Sequence, residues 1–219
     1  AIRRQRQMCI RDRVHPSQGH YENTLANAIA WYFRNEETPF VFRAVNRLDR
    51  DTSGLILLAK NPYSSCILSD AVKDHAIHRE YAAIVSGKTA DSGTIDLPIA
   101  RKDGSTIERV CDPERGDAAV THYQTIAYNK DADLSFIRLL LETGRTHQIR
   151  VHMKAIGPPL PGDFLYCPDY RLIDRQPLHS IYLSFSHPVT GKKLEFSAPL
   201  PQDMRNLFPD IKNPEGPVF

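Results

Sequence analysis

The feature that most constrains the fold is a set of six short segments rich in aliphatic, β-branched and aromatic residues. They lie at 54–60, 79–87, 118–128, 134–144, 181–188 and 193–199. Glycines or polar clusters bound most of them, which is typical of strands. Gly191, between the last two segments, can take the positive φ of a tight hairpin turn. We therefore expect an α+β fold, with one mixed, mainly antiparallel sheet around a central cleft and a few flanking helices.

Three segments carry helix signals. The segment 22–33 has apolar residues on one helical face, 61–72 begins with a proline in its first turn, and 147–157 ends at a glycine. The charged, glycine-containing stretch 103–117 is interpreted as a loop, and the last residues are interpreted as a loosely held tail. A chain of 219 residues with 41% hydrophobic content can bury the core of a single domain.

Composition excludes several classes of protein. The net charge is only +2, so a nucleic-acid partner requires a local basic surface rather than a basic chain. The four cysteines are far apart and form no C-x-x-C pair, which argues against a zinc or redox motif and favours a reduced, cytoplasmic protein. The sequence has neither an apolar run that could span a bilayer nor an apolar signal core at its start, so we expect no membrane association and no secretion.

Asp49 and Asp51 stand between two arginines in the stretch VNRLDRDTSGLILLAK, at 45–60. A charged surface turn would explain this pattern. A phosphatase of the haloacid-dehalogenase type would also explain it, because D-R-D-T resembles the D-x-D-x-T nucleophile motif of that class. The context argues against the phosphatase, since that motif follows a buried strand whereas here the apolar segment comes after the acids. The spacing alone does not choose a reaction.

A second polar group, TGRTHQIRVH at 143–152, follows a predicted strand and opens a predicted helix. Arg145 and Arg150 could each bind a phosphate or hold a carboxylate with two hydrogen bonds, and His147 and Gln148 could bond a base, the backbone or the helix start. His147 and His152 are five residues apart, which is not the i, i+4 spacing of a zinc-binding helix. We therefore predict no metal site.

Together the two stretches resemble the paired signatures of RluA-type pseudouridine synthases. NRLDRDTSG is similar to the family's R-L-D-x-x-T-S-G, and TGRTHQIRVHM is similar to its second signature. Four further segments follow in the family's order: VHPSQGHYENTLANAI, HREYAAIVSG, GPPLPGDFLY and the closing hairpin LHSIYLSFSHPVTGKKLEFSAPLPQDM. The likeness implies an enzyme that isomerises uridine to pseudouridine in structured RNA, ribosomal or transfer, without a cofactor.

The resemblance also implies roles for single residues. Asp49 stands at the nucleophilic aspartate, Tyr81 at the tyrosine that stacks on the base, and Arg145 at the arginine that pairs with the aspartate. These three side chains are expected to converge in one active-site cleft. The residues expected to bind the substrate are Arg47, Thr52, Leu141, His147, Gln148 and Arg150. The expected partner is RNA, bound by a monomer, and the cations expected around the cleft are Arg47, Arg50, Arg101, Arg109, Arg150 and Lys154.

The chain departs from the family pattern in three respects. Asn46 and Pro158 each stand where many members have histidine, and we expect Asn46 to organise its loop rather than to react. Residues 1–13 are too charged to be the strand that normally precedes V-H-P, so we interpret them as an atypical segment, for which a non-native origin is one explanation. No segment resembles the family's small S4 RNA-binding domain. We thus predict a catalytic domain at 14–209 and a tail at 210–219, and the alternative function is an RNA-binding protein of this fold that has lost catalysis.

Overall fold

In the computed structural model the described residues are 14, 21–35, 40–213 and 216–219, so the predicted atypical segment 1–13 lies outside them. The helices are α1 (Leu25–Tyr32), α2 (Pro62–Lys73), α3 (Gln148–Ala155) and α4 (Gln202–Leu207). The strands are β1 (Ser53–Gly54), β2 (His78–Ser86), β3 (Ser92–Asp96), β4 (Ile99–Arg101), β5 (Arg109–Cys111), β6 (Val120–Asn129), β7 (Leu134–Leu141), β8 (Leu178–Ser186) and β9 (Lys193–Ser197).

Seven of these strands form one sheet in the order β1-β8-β2-β7-β6-β3, with β9 also paired to β8. The pairing of β1 with β8 is parallel, whereas the other pairings of this sheet are antiparallel. Strands β4 and β5 form a separate antiparallel ribbon. The predicted α+β fold with a mixed, mainly antiparallel sheet is therefore confirmed.

The central strands are buried on both faces of the sheet. On β2, Tyr81 and Ala83 belong to a core cluster that includes Met153 of α3, whereas Ile84 belongs to a second cluster that includes Met204 of α4. This alternation follows from the two-residue period of a strand. The sheet thus presents one face to α3 and the opposite face to α4.

The helix starts have clear local causes. Thr24 caps α1 through a reciprocal pair of hydrogen bonds with Asn27, and the side chain of Asn61 caps α2, where Pro62 occupies the first turn. His147 precedes α3 in the left-handed conformation, with φ 59°. The three predicted helices are therefore present, each within about three residues of its predicted ends.

Two predicted segments differ from the structure. Only Ser53–Gly54 is a strand in the region predicted as 54–60, because the following residues bond back to 43–46 instead of extending the sheet. The side-chain oxygen of Asn46 accepts from the Leu57 N–H at 2.7 Å, so the expectation that Asn46 organises this loop is confirmed. The predicted loop 103–117 contains β5, which pairs with β4.

The predicted loose tail is also wrong for residues 216–219. The backbone N–H groups of Val218 and Phe219 donate to the Glu80 carboxylate, and Arg138 donates to the Gly216 carbonyl. Glu80 is fully buried and also contacts the Arg138 guanidinium. A buried carboxylate requires donors, and the end of the chain supplies several of them.

Candidate active site

The loop that carries Asp49 is held in place by the segment that precedes β8, the neighbour of β1 in the sheet. The Thr52 N–H donates to the Asp49 carbonyl at 3.0 Å, and Arg175 donates to the Asp51 carbonyl at 3.0 Å. Gly54 then leaves the loop with φ 111°, where an added Cβ would lie 2.2 Å from the Ser180 carbonyl oxygen. The T-S-G part of the first signature is therefore explained by the close approach of β1 to β8, which only glycine permits.

The Asp49 carboxylate is bound by Arg150, on α3. Nη1 of Arg150 donates to Oδ2 of Asp49 at 3.1 Å, while its Nε and Nη2 donate to the two oxygens of Asp163 at 2.6 and 2.8 Å. Arg150 is 1% exposed and Asp163 is 0% exposed. Asp163 is in turn fixed by the N–H groups of Leu165 and Tyr166. The arginine that orients the candidate nucleophile is thus itself rigidly anchored.

Arg145 does not pair with Asp49, and this expectation is corrected. Its Nε donates to the Ala118 carbonyl, and its Nη1 lies 3.9 Å from Asp117, with 43% of the side chain exposed. The cause is local: Arg145 precedes the left-handed residue His147, whereas Arg150 lies within α3. The two arginines of the second signature therefore point to different partners, and only Arg150 reaches the aspartate. Arg150 is occupied by its ion pairs with Asp49 and Asp163, so it is not one of the free cations around the cleft.

Tyr81 is buried on the α3 face of β2, with 6% exposure. Burial raises the pKa of its hydroxyl, and the negative charge of Asp49 raises it further. Leu48, the residue before Asp49, packs against the core cluster that contains Tyr81, so the Asp49 loop lies on the same side of the sheet as Tyr81. The expectation that Asp49 and Tyr81 line one active-site cleft stays a prediction, and Arg150 replaces Arg145 as the arginine that contacts Asp49.

His147 is positioned by Tyr166. The Tyr166 hydroxyl accepts from the Arg109 N–H at 2.9 Å and lies 2.9 Å from Nδ1 of His147. Burial raises the pKa of Tyr166 to about 12 and lowers the pKa of His147, so at neutral pH the phenol is protonated and the imidazole is neutral. The Tyr166 hydroxyl and Nδ1 of His147 therefore share one hydrogen bond between neutral groups, whose donor is set by the tautomer of the imidazole.

Gln148 has a structural role rather than the predicted contact with substrate. Its Oε1 accepts from the Thr143 hydroxyl and the Arg145 N–H, and its Nε2 donates to the Val120 carbonyl and the Thr121 hydroxyl. Two donors and two acceptor positions are the full capacity of an amide side chain. Gln148 therefore fixes the turn that opens α3, which is the alternative that its sequence position had left open.

The remaining candidates divide between the core and the surface. Leu141 packs against the cluster that contains Tyr81, and the Thr52 hydroxyl is buried without a hydrogen-bond partner among the described residues. Arg47 is exposed, and Arg50 lies over the Phe164 ring with 4.3 Å from its guanidinium carbon to the ring centroid. The Thr52 hydroxyl is therefore enclosed with its hydrogen-bonding capacity unused, while Arg47 and Arg50 lie on the surface within two residues of Asp49.

Within the described ranges, no group of histidine, cysteine, aspartate and glutamate side chains could hold a metal ion. Among the same residues, no helix is both long enough and apolar enough to cross a membrane. His152, the other histidine of the second signature, uses both ring nitrogens internally, on the Thr121 hydroxyl and the Leu97 carbonyl. The interpretation of His152 as a packing residue is confirmed.

Comparison with known proteins agrees with this geometry. Residues 14–155 match the model of the RNA pseudouridylate synthase family. The chain belongs to this family. Membership confirms the resemblance to RluA-type enzymes and places the chain among RNA-modifying isomerases.

Individual relatives extend the likeness over most of the chain. The chain is 47% identical over 194 residues to an RNA pseudouridine synthase of Bacillus subtilis, YjbO, covering 88% of the chain and 68% of the relative. It is 41% identical over 212 residues to ribosomal large subunit pseudouridine synthase D of Zymomonas mobilis, covering 89% of the chain and 65% of the relative. The chain therefore spans about two thirds of the length of these proteins. The solved structure of human RNA pseudouridylate synthase domain containing 1 shares the fold, with TM-score 0.68 and 23% identity over 88% of this chain and 87% of that one.

Two members of this candidate site were not identified from the sequence. Asp163 anchors Arg150, and Tyr166 orients His147. Both lie in the stretch GPPLPGDFLY, which had been recognised only as a family segment. The dipeptide Gly162-Asp163 was the available signal, because glycine and aspartate are both typical of tight turns.

Proposed function

We propose that this protein converts specific uridines of structured RNA into pseudouridine, with Asp49 as the nucleophile. The observation that carries the proposal is the chain of charges from Asp163 through Arg150 to Asp49, next to the buried Tyr81. Arg150 holds one oxygen of Asp49, and among the described residues nothing binds the other oxygen, Oδ1. A positioned carboxylate with one free oxygen is suited to attack an electrophilic carbon.

The reaction is an isomerisation and requires no net supply of atoms or electrons. The bond between the sugar and N1 of uracil breaks, a bond between the sugar and C5 forms, C5 loses a proton and N1 gains one. Asp49 would hold the target while the base detaches and turns. Arg150 would stabilise the carboxylate whenever it is ionised, and the ring of Tyr81 would stack on the base. The raised pKa of Tyr81 keeps its hydroxyl protonated at neutral pH, so that it can donate a hydrogen bond or a proton.

A uridine inside folded RNA is stacked and must be extruded before it can enter such a site. Ribosomal RNA is the favoured substrate, because relatives at 40–41% identity are named for the large ribosomal subunit, and transfer RNA is the alternative. The five cations of the predicted set that are not committed to the Asp49 cluster would contact phosphates: Arg47, Arg50, Arg101, Arg109 and Lys154. RNA affinity should consequently fall steeply with salt concentration.

The test compares Asp49→Asn with Asp51→Asn, two substitutions of the same chemistry two residues apart. Asp51 pairs with the neighbouring Arg50 and takes φ 68°, a conformation that asparagine accepts readily. Release of tritium from C5-labelled uridine in unmodified large-subunit ribosomal RNA should fall about 10³-fold or more for Asp49→Asn, because an amide is a poor nucleophile. It should change little for Asp51→Asn.

Thermal melting should show both variants folded. If Asp51→Asn is the inactive variant, the assignment of the nucleophile is wrong. If the parent protein binds the RNA but releases no tritium from ribosomal or transfer RNA, the protein is a binding module that has lost catalysis.

A further inference from the structure

Arg79 is a buried cation on the substrate side of β2. It lies two residues before Tyr81 and therefore on the same face of the strand, roughly 7 Å away along the backbone. Its residue exposure is 8%. The positive charge of Arg79 acts against the burial that raises the pKa of Tyr81, which is consistent with their placement on one face of β2.

Arg79 differs from the other buried arginines of the described chain in having no carboxylate. Arg138 contacts Glu80, Arg150 contacts Asp49 and Asp163, and Arg175 contacts Asp203. For Arg79, no ion pair or hydrogen bond is made within residues 21–35, 40–213 and 216–219, and its Nε is buried without a partner. An unpaired charge is costly to bury, so its retention requires a reason other than stability.

The surroundings of Arg79 suggest that reason. Its guanidinium lies against Gly144 of the second signature, where an added Cβ would be 3.3 Å from Nη1. The small residue leaves room for a guanidinium between β2 and the turn that leads to Arg145 and α3. Arg79 thus lies between β2 and the second signature, and its guanidinium has no hydrogen-bond partner among the described residues.

We propose that Arg79 binds a phosphate of the RNA backbone next to the extruded uridine, a role that rests on the proposed function of the same site. A guanidinium offers a planar fork of donors that matches two phosphate oxygens. The separation of Arg79 from Tyr81 is comparable to that between a base and its own phosphate, so a base stacked on Tyr81 would bring a phosphate within reach of Arg79. The ligand would supply the counter-charge that the protein lacks at this position.

The proposal predicts an unusual combination of effects for Arg79→Met. Methionine fills similar space without a charge, so the melting temperature should stay equal to that of the parent or rise. RNA binding should weaken by about 10-fold to 100-fold, the loss expected for one hydrogen bond to a charged group. In turnover the loss should appear in KM rather than in kcat.

The decisive measurement is the salt dependence of binding, with in vitro transcribed, unmodified large-subunit ribosomal RNA of Bacillus subtilis as the probe. All proteins carry Asp49→Asn, so that binding is read without turnover. Loss of one phosphate contact should reduce the slope of log K against log salt concentration by about 0.7 to 0.9 for Arg79→Met. Arg79→Lys should retain the parental slope, because it keeps the charge. Arg205→Gln, on the exposed side of α4, removes one cation elsewhere and should also leave the slope unchanged.

An unchanged slope for Arg79→Met overturns the proposal, whatever happens to its stability. A reduced slope with Arg79→Met, together with a parental slope for Arg79→Lys, supports it. Tritium release by the protein with Asp49 intact is measured separately. If tritium release is absent but the salt slope falls for Arg79→Met, the phosphate contact is supported and the proposed catalysis is wrong. If tritium release is present but the salt slope is unchanged, the proposed catalysis is supported and the phosphate contact is wrong.

Discussion

Replacing Arg150 by methionine tests whether the two arginines of the second signature have different roles. The substitution would leave the carboxylate of Asp163, which is 0% exposed, with the N–H groups of Leu165 and Tyr166 as its only partners in the described part of the chain. Removing one member of a buried ion pair costs about 3–5 kcal/mol of unfolding free energy. For a chain of this size each kcal/mol lowers the melting temperature by about 2–4 °C, so Arg150→Met should melt about 6–20 °C below the parent.

Arg145→Met is the matched control, since it removes the same side chain five residues earlier. Arg145 is 43% exposed and its contact with Asp117 is 3.9 Å long, so this pair contributes about 0–1 kcal/mol. Its hydrogen bond to the Ala118 carbonyl adds about 1 kcal/mol. Arg145→Met should therefore melt only a few degrees below the parent and retain most of its tritium-release activity.

A double variant separates stability from catalysis. Arg150→Met combined with Asp163→Leu replaces the buried pair with apolar groups, a change that is often neutral for stability. The melting temperature should recover, but the activity should stay about 10²-fold to 10³-fold below that of the parent, because Asp49 has still lost its donor. The reasoning is refuted if Arg150→Met melts within about 2 °C of the parent, or if Arg145→Met is inactive while Arg150→Met is active.

Two further predictions concern the supports of the site. Gly54→Ala should destabilise the protein by more than about 1–3 kcal/mol in urea unfolding, because a clash with β8 adds to the backbone strain. Gly191→Ala, at φ 68° and with open space around it, should cost only about 1–2 kcal/mol. Equal losses of stability in the two variants would contradict the role given to the contact between Gly54 and β8. Burial lowers the pKa of His179 to about 4, below its value of about 6.5 in the unfolded chain. Between these two pH values the unfolded chain binds a proton that the folded protein does not. The free energy of unfolding should therefore fall by about 3 kcal/mol as the pH drops from 6.5 to 4. His179→Gln should flatten this part of the profile in urea titrations at successive pH values, while His75→Asn, at an exposed position, should not.

The sheet could be predicted because its central strands are buried on both faces. The segments 79–87 and 134–144 are nearly continuous apolar runs, and such runs are readable without knowing their neighbours. Strand β3 and the ribbon of β4 and β5 were missed, since they are three to five residues long and largely exposed. The run 54–60 was apolar enough for a strand, but the side chain of Asn46 takes one of its backbone donors.

The sequence predicts which residues belong to the candidate site better than it predicts their contacts. Asp49 and Tyr81 could be named as candidates because each stands in a signature that the sequence shows directly. The arginine partner could not be chosen in the same way, since Arg145 and Arg150 are five residues apart and the choice depends on where α3 begins. That start follows the left-handed conformation of His147, which histidine adopts more often than most residues but which the sequence around it does not fix.

Strand β2 connects the substrate face of the sheet to the opposite face. Tyr81 pairs with Ser180 of β8 whereas Glu80 pairs with Tyr182, so β8 carries one extra residue at this point, a bulge. Bulges bend a strand and redirect its side chains, and they are frequent beside active sites. Glu80 is fixed on the far face by Arg138 and by the N–H groups of residues 218 and 219. The direction of Tyr81 towards Asp49 therefore depends on contacts behind the sheet as well as on those in the cleft.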